Sequence, residues 1–168
     1  RDIVARLVGS EMCIRDSLLM GTAPPFRIIR AHTPDHMAQV RAIRQQVFID
    51  EQGIPAELEW DDRDAGCLHV LAYNPSGMAI GTGRLDIDGR IGRMAVLLPW
   101  RGRGAGTLLL NALITAAREN GCRRAYLHAQ ESAQSLYRRA GFRRQGEPCF
   151  EAGIRHISME MSFAGSNT

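Results

Sequence analysis

The stretch Arg101-Gly102-Arg103-Gly104-Ala105-Gly106 decides how this chain is read. It follows the apolar, strand-like run Ile91 to Leu98 and opens the helix-like run Thr107 to Asn120. Glycines at a strand-to-helix junction leave a row of backbone N–H groups uncovered where the helix dipole is positive, and phosphates bind such places. Arg101 and Arg103 add charge. The loop therefore predicts a phosphate-bearing cofactor held by the backbone of Gly102, Arg103, Gly104, Ala105, Gly106 and Thr107.

Upstream of the loop, Cys67 to Tyr73, Ala79 to Ile87 and Ile91 to Leu98 read as consecutive strands. The turn signals Asn74-Pro75-Ser76-Gly77 and Asp88-Gly89 between them make an antiparallel meander. Phe26 to Arg30 is a short first strand. Thr33-Pro34 then starts a helix, with threonine as N-cap and proline at the first helical position. Met37, Val40, Ile43, Val47 and Phe48 recur at helical spacing, and the pattern stops at Gly53. Downstream, Arg124 to Ala129 is a strand, Ser132 to Ala140 a helix stopped by Gly141, and Phe142 to Phe150 and His156 to Phe163 are the last strands. This order predicts an α/β (α+β) fold with a mixed, mostly antiparallel sheet of about six to seven strands and helices on both faces.

With 168 residues, 45% of them hydrophobic and 23% charged, the composition is that of one globular domain with a substantial core. A net charge of +3 and 6% aromatics argue against nucleic acid as the partner. No apolar run reaches the roughly 18 residues of a membrane span. Cys13, Cys67, Cys122 and Cys149 show no metal-ligand spacing, so no metal is expected, and reduced thiols in a cytoplasmic protein are. Met12-Cys13-Ile14-Arg15-Asp16-Ser17 resembles the translation of a sequencing-library adapter. Residues 1–19 are therefore expected to be a non-native or disordered leader, and 20–168 a single domain.

Three phosphate-loop readings compete. A P-loop needs GxxxxGK before Ser or Thr, and the lysine is missing. A dinucleotide fold needs its loop in a βαβ unit with an acid at the end of the next strand. Here the loop follows a meander, and Glu119 lies at the end of the helix. The third reading fits. Arg101-x-x-Gly104-x-Gly106 resembles the acyl-CoA pyrophosphate signature of the GNAT N-acetyltransferase superfamily. Gln130-x-x-Ala133-x-x-x-Tyr137-x-x-x-Gly141-Phe142 resembles the second signature of the same family. Val47 to Pro55, Gly81 to Leu85, Gly92 to Val96, Leu127 to Gln130 and the tail Glu151 to Met159 are similar to the ElaA/YjcF-like subgroup. The subgroup's usual tail proline is Arg155 here, which puts the local turn in doubt.

The resemblance implies direct transfer of an acetyl group from acetyl-CoA to an amine, on a small molecule or a peptide, in a ternary complex. A homodimer is one assembly it admits. It implies that Met94, Ala95 and Val96 pair with the pantetheine arm, that the Val96 N–H polarises the thioester carbonyl, and that Gln130 and Tyr137 lie beside the thiol end. Such an N–H is commonly worth roughly 3 kcal/mol in the transition state. Tyr137 would donate a proton to the departing sulfur. Glu51, Glu57, Glu59, His69, His128 and His156 are candidates for the base by chemistry alone. Arg84 and Arg93, mid-strand, are expected to pair with the acidic loop Glu57 to Asp64 or to bind substrate. That loop is expected either to be a solvated face or to attract a cationic amine. Arg123-Arg124, Arg138-Arg139 and Arg143-Arg144 are expected to be solvated faces, with contact from Arg138 or Arg139 to the CoA 3′-phosphate as the alternative. A non-catalytic CoA-binding module and an RNA-binding domain are the alternative classes.

Overall fold

The computed structural model describes residues 25–164. The expected leader, residues 1–19, lies outside them. Strand β1 (Arg27–Ala31) leads to helix α1 (Pro34–Arg44), where the Thr33 hydroxyl accepts from the His36 N–H and so caps the helix. A π-helical segment, Gln45–Glu51, continues α1. Helical spacing alone did not foresee this widening, because Val47 and Phe48 stay buried through it. A one-turn helix α2 (Ala56–Glu59) precedes the meander β2 (Leu68–Tyr73), β3 (Ala79–Leu85) and β4 (Ile91–Val96). Helix α3 (Ala105–Glu119), β5 (Arg124–Gln130), α4 (Gln134–Ala140), β6 (Arg143–Glu151) and β7 (Ile154–Ser162) complete the chain.

The seven strands form two antiparallel sheets, in the orders β1-β2-β3-β4 and β5-β7-β6. A parallel bridge, Arg90 to Tyr126, joins them at the start of β4. Beyond that bridge β4 and β5 part, and a wedge-shaped crevice opens between the sheets.

Strand β2 is buried on both faces, which its unbroken apolar run from Val70 to Tyr73 dictates. Leu71 and Tyr73 pack with Val40, Ile43, Val47 and Phe48 of the first helical segment. Val70 and Ala72 pack on the opposite face with Leu109, Leu110 and Leu113 of α3. Helix α3 settles closely onto β3 because Gly81 and Gly83 present no side chain. A Cβ on Gly83 would come within 2.7 Å of Leu113 Cδ1, and one on Gly81 within 2.9 Å of Leu109 Cδ1. The tail forms a tight hairpin: Glu151 faces Ile154 across Ala152 (φ 52°) and Gly153 (φ 76°). Arg155 is accommodated in β7 opposite Phe150, so the turn placed in doubt by the missing proline forms.

Candidate active site

The crevice is lined on one side by β4 and on the other by β5 and α4. Its register starts with an irregularity. Between the pairs Thr82–Ala95 and Arg84–Gly92, β4 carries two residues against one, a β-bulge that includes Arg93 at φ 50°. The left-handed conformation costs a non-glycine residue about 1–2 kcal/mol, and bulges re-aim strand groups next to active sites. Past the bulge, the Leu97 N–H donates to the Ile80 carbonyl at 2.9 Å. Successive residues of a strand turn their polar groups to opposite edges. The Val96 N–H therefore points away from β3, on the unpaired edge of β4.

The same edge carries the Val96 carbonyl, which accepts from Arg101 Nε at 2.7 Å. The Arg101 guanidinium also donates two hydrogen bonds to Glu51, at 2.7 and 2.8 Å, which hold the Glu51 carboxyl below its ordinary range. Arg103 stacks on Trp100 with its guanidinium 4.9 Å from the ring centre. Both arginines of the loop thus brace it, leaving the backbone to face outward. Gly102 (φ 74°) and Gly104 (φ 93°) take conformations that favour glycine, and a Cβ at either would meet no protein atom within 4 Å. No side chain caps α3 at Gly104, and the first intrahelical bond runs from Leu108 N–H to the Gly104 carbonyl. The N–H groups of Ala105, Gly106 and Thr107 are left without a helical acceptor. This open, glycine-walled helix start fits a diphosphate.

Deeper in, a cavity of about 380 Å³ is lined by Met94, Gln130, Tyr137, His128, Glu151 and His156 among others. The Tyr137 hydroxyl lies 3.8 Å from Met94 Sδ, and burial pushes it up to about 12. The structure thus brings Tyr137 to the same crevice as β4. Gln130 exchanges side-chain amide hydrogen bonds with Gln52, at 2.9 and 3.3 Å, across the crevice.

The expected bases separate. Glu57 is exposed and away from the cavity, Glu51 is held by Arg101, and His69 is buried with Nε2 2.9 Å from the Asp64 carbonyl. Burial lowers the His69 imidazole below its ordinary value. Glu59 lines the cavity, but its Oε1 is 2.6 Å from Arg44 Nε and its Oε2 3.1 Å from Arg93 Nε. Burial pushes its carboxyl up in spite of these cations. His128 and His156 are the two histidines that reach the cavity.

The acidic loop corrects one expectation. It is neither a wholly solvated face nor a free negative rim. Glu59, Asp61 and Asp64 interlock with Arg44, Arg84 and Arg93, three charges of each sign. Burial raises the carboxyls of Asp61 and Asp64. Hydrogen bonds from Arg84 to Asp61, and from Arg44 and Arg84 to Asp64, outweigh it and hold both below their ordinary range. The expected pairing of Arg84 and Arg93 is present. Arg44, buried beneath Trp60, was not foreseen as its centre. The signal was legible: an arginine between Ile43 and Val47 on the apolar side of a helix must have a buried partner. Arg138 and Arg139 are exposed on α4.

An acetyltransferase (GNAT) domain model matches residues 34–163. The chain belongs to the GNAT acetyltransferase family. It is an N-acetyltransferase on that ground, an enzyme of acyl transfer. The N-acetyltransferase YjcF of Bacillus subtilis is 31% identical over 138 residues, covering 80% of this chain and 98% of the relative. An acyl-CoA N-acyltransferase structure from Pseudomonas aeruginosa superposes with a TM-score of 0.71 at 28% identity, covering 82% of this chain and 98% of the other. The structure of Escherichia coli ElaA shares the GNAT fold at 24% identity, with a TM-score of 0.67 over 80% of this chain and 98% of its own. None of the described helices is long and apolar enough to cross a membrane.

Proposed function

We propose that the protein transfers an acetyl group from acetyl-CoA to an amine by direct attack in a ternary complex. The observation that carries this reading is the shared crevice. Met94 of β4 and Tyr137 of α4 line one cavity, and β4 runs on through Val96 toward the uncapped start of α3, so donor and acceptor sites would be continuous along its unpaired edge.

The backbone N–H groups from Gly102 to Thr107 would hold the diphosphate, and Met94, Ala95 and Val96 would pair with the pantetheine amides. Gln130 would release Gln52 and turn to the same arm. The bound thioester supplies the electrophilic carbonyl. The Val96 N–H donates to its oxygen as negative charge develops there, and in a crevice shielded from water one such donor is worth roughly 3 kcal/mol. Tyr137, held near 12 by burial, stays protonated throughout the neutral range. An ordinary thiol sits near 8.5, so the phenol serves the departing sulfur first as a hydrogen-bond donor.

Cys67, Cys122 and Cys149 are free thiols, which suits a cytoplasmic enzyme, and direct transfer leaves Cys149 without a covalent role. The pairing of Glu59, Asp61 and Asp64 with three arginines weakens the argument from the acidic loop for a cationic amine as acceptor. A thermal-shift titration with CoA, followed by a thiol-release screen of amines with acetyl-CoA, tests the reading. Absence of both a shift and amine-dependent thiol release refutes it.

A further inference from the structure

The acceptor side of the cavity contains a side-chain cluster that the reading above does not use. His128 on β5, Cys149 and Glu151 on β6, and His156 on β7 share one face of the second sheet. His128 lies opposite Ser158, and Cys149 opposite His156. The His128 Nδ1 lies 2.5 Å from Glu151 Oε1. An imidazole N–H that close to an ionised carboxylate donates to it. In the neutral ring the lone pair then belongs to Nε2. His156 carries its proton on the same nitrogen, since its Nδ1 donates to the Ile154 carbonyl at 2.7 Å, and its Nε2 stands 4.0 Å from Glu151 Oε2, too far for a hydrogen bond. It differs from His128 in having no carboxylate on Nδ1 and in burial, its side chain being 10% exposed against 29% for His128.

We propose that His128, positioned by Glu151, is the general base that takes the proton from the acceptor amine. This rests on the amine acetyltransferase reading above. An ammonium ion cannot attack a thioester. It gives one proton to His128 Nε2, and the nitrogen lone pair so freed attacks the carbonyl carbon to form the new C–N bond. The thioester C–S bond then breaks, and the second proton lost by the nitrogen ends on the departing thiolate, so that the amide and the CoA thiol are the products. The imidazolium is balanced by the Glu151 carboxylate, and the proton leaves to solvent, to which both side chains are partly open. A carboxylate–imidazole pair is suited to this work because the carboxylate fixes the tautomer and stabilises the charged ring.

The surroundings agree. Arg90, on the β3–β4 connection, puts its guanidinium 3.4 Å from His128 Nδ1 and 4.0 Å from Glu151 Oε1. It shares the carboxylate and opposes a metal ion at the cluster, although donor atoms of His128, Cys149 and Glu151 lie within 4.8 Å of one another. The other charged groups of this wall are committed: Asp86 pairs with Arg63, and Asp88 with the Tyr126 hydroxyl. Burial raises the Glu151 carboxyl, but the hydrogen bond from His128 outweighs it and holds the group below its ordinary range. Glu151 is thus ionised at neutral pH and a poor base itself.

The test uses the full chain and three variants. His128→Asn keeps an N–H for Glu151 and removes the lone pair. Glu151→Gln keeps an acceptor and removes the charge. His156→Asn is the comparison. With acetyl-CoA and spermidine, glucosamine or L-lysine as acceptor, whichever is turned over, His128→Asn should lower kcat about 100-fold. It should also abolish the acid limb of the kcat/KM profile and leave CoA affinity intact. Glu151→Gln should move that limb to lower pH, and His156→Asn should keep it. Nitrogen-15 NMR of labelled histidines needs no acceptor. It should show neutral His128 as the Nδ1–H tautomer, a preference that weakens in Glu151→Gln. An Nε2–H tautomer, or an acid limb that survives in His128→Asn or vanishes in His156→Asn, overturns the proposal. If none of these three amines is acetylated, the CoA titration and the wider amine screen decide the acetyltransferase reading, and an Nε2–H tautomer still overturns this one.

Discussion

Removing the cation at the centre of the buried network, by Arg44→Met, strands Glu59. Arg44 is 1% exposed, and its side chain carries Nε to Glu59 Oε1 at 2.6 Å, Nη1 to Asp64 at 2.8 Å and Nη2 to the Glu59 carbonyl at 3.0 Å. Asp64 keeps Arg84, at 2.9 Å, but Glu59 is left with Arg93 alone. Breaking a buried pair from one side costs about 3–5 kcal/mol. For a chain of 168 residues this corresponds to a Tm lower by roughly 6–20 °C. The loss should depend on pH with a definite sign. Burial already raises the Glu59 carboxyl, and loss of Arg44 raises it further. A carboxyl raised in the folded state contributes stability that is present below its unfolded value and is lost as pH rises through the folded one. The variant should therefore be penalised less near pH 5 than near pH 8. Glu59→Gln, added to Arg44→Met, should restore part of the loss at pH 8. Urea denaturation at the two pH values measures all three quantities. A penalty under about 1 kcal/mol, equal at both, would refute the network as described.

Tyr137→Phe should lower kcat by roughly 100-fold, the lower end of what a positioned acid contributes, with CoA affinity unchanged in a thermal-shift titration. Because the hydroxyl is pushed up to about 12, no alkaline limb belonging to Tyr137 should appear below pH 10 in the kcat profile. Gly104→Val, at φ 93°, should cost about 1–2 kcal/mol of stability and raise the KM for acetyl-CoA more than tenfold, since its Cβ fills space left open before α3. Glu51→Gln should raise that KM a few-fold through a looser Arg101, with little change in Tm, because an exposed ion pair is worth about 0–1 kcal/mol. Asp61 and Asp64, held low by their arginines, contribute stability above their unfolded values that should vanish as pH falls through the folded ones, so acid unfolding should set in below about pH 4.

The elements that carry the cofactor loop were legible because each has a local cause. Thr33 caps, Gly104 turns the chain into α3, and the meander has its turn residues at Asn74–Gly77 and Asp88–Gly89. What could not be read were the consequences of distant contacts. Arg93 occupies the left-handed region only because a bulge in β4 aims it at Glu59, and no neighbour in sequence hints at that. The π-helical segment keeps Val47 and Phe48 inside and brings Glu51 to Arg101, 50 residues away. Gln52 meets Gln130 and His128 meets Glu151 by virtue of sheet order alone, with β7 inserted between β5 and β6. His128 could be suspected as a polar residue on a strand. Its carboxylate partner lay in the tail motif, where no role had been attached to it.

The separation of the seven strands into two independently closed ladders has a consequence for how the enzyme diversifies. Each sheet completes its ladders without the other, so a guest can pair with the unpaired edge of β4 and break no strand pair on the way in. Among the described residues the two ladders meet at the Arg90–Tyr126 bridge, and side chains carry the remaining coupling, Arg90 to Glu151 and Gln52 to Gln130. On the proposed reading, the acceptor wall and the donor grip belong to different ladders, so one can vary in sequence without re-pairing the other.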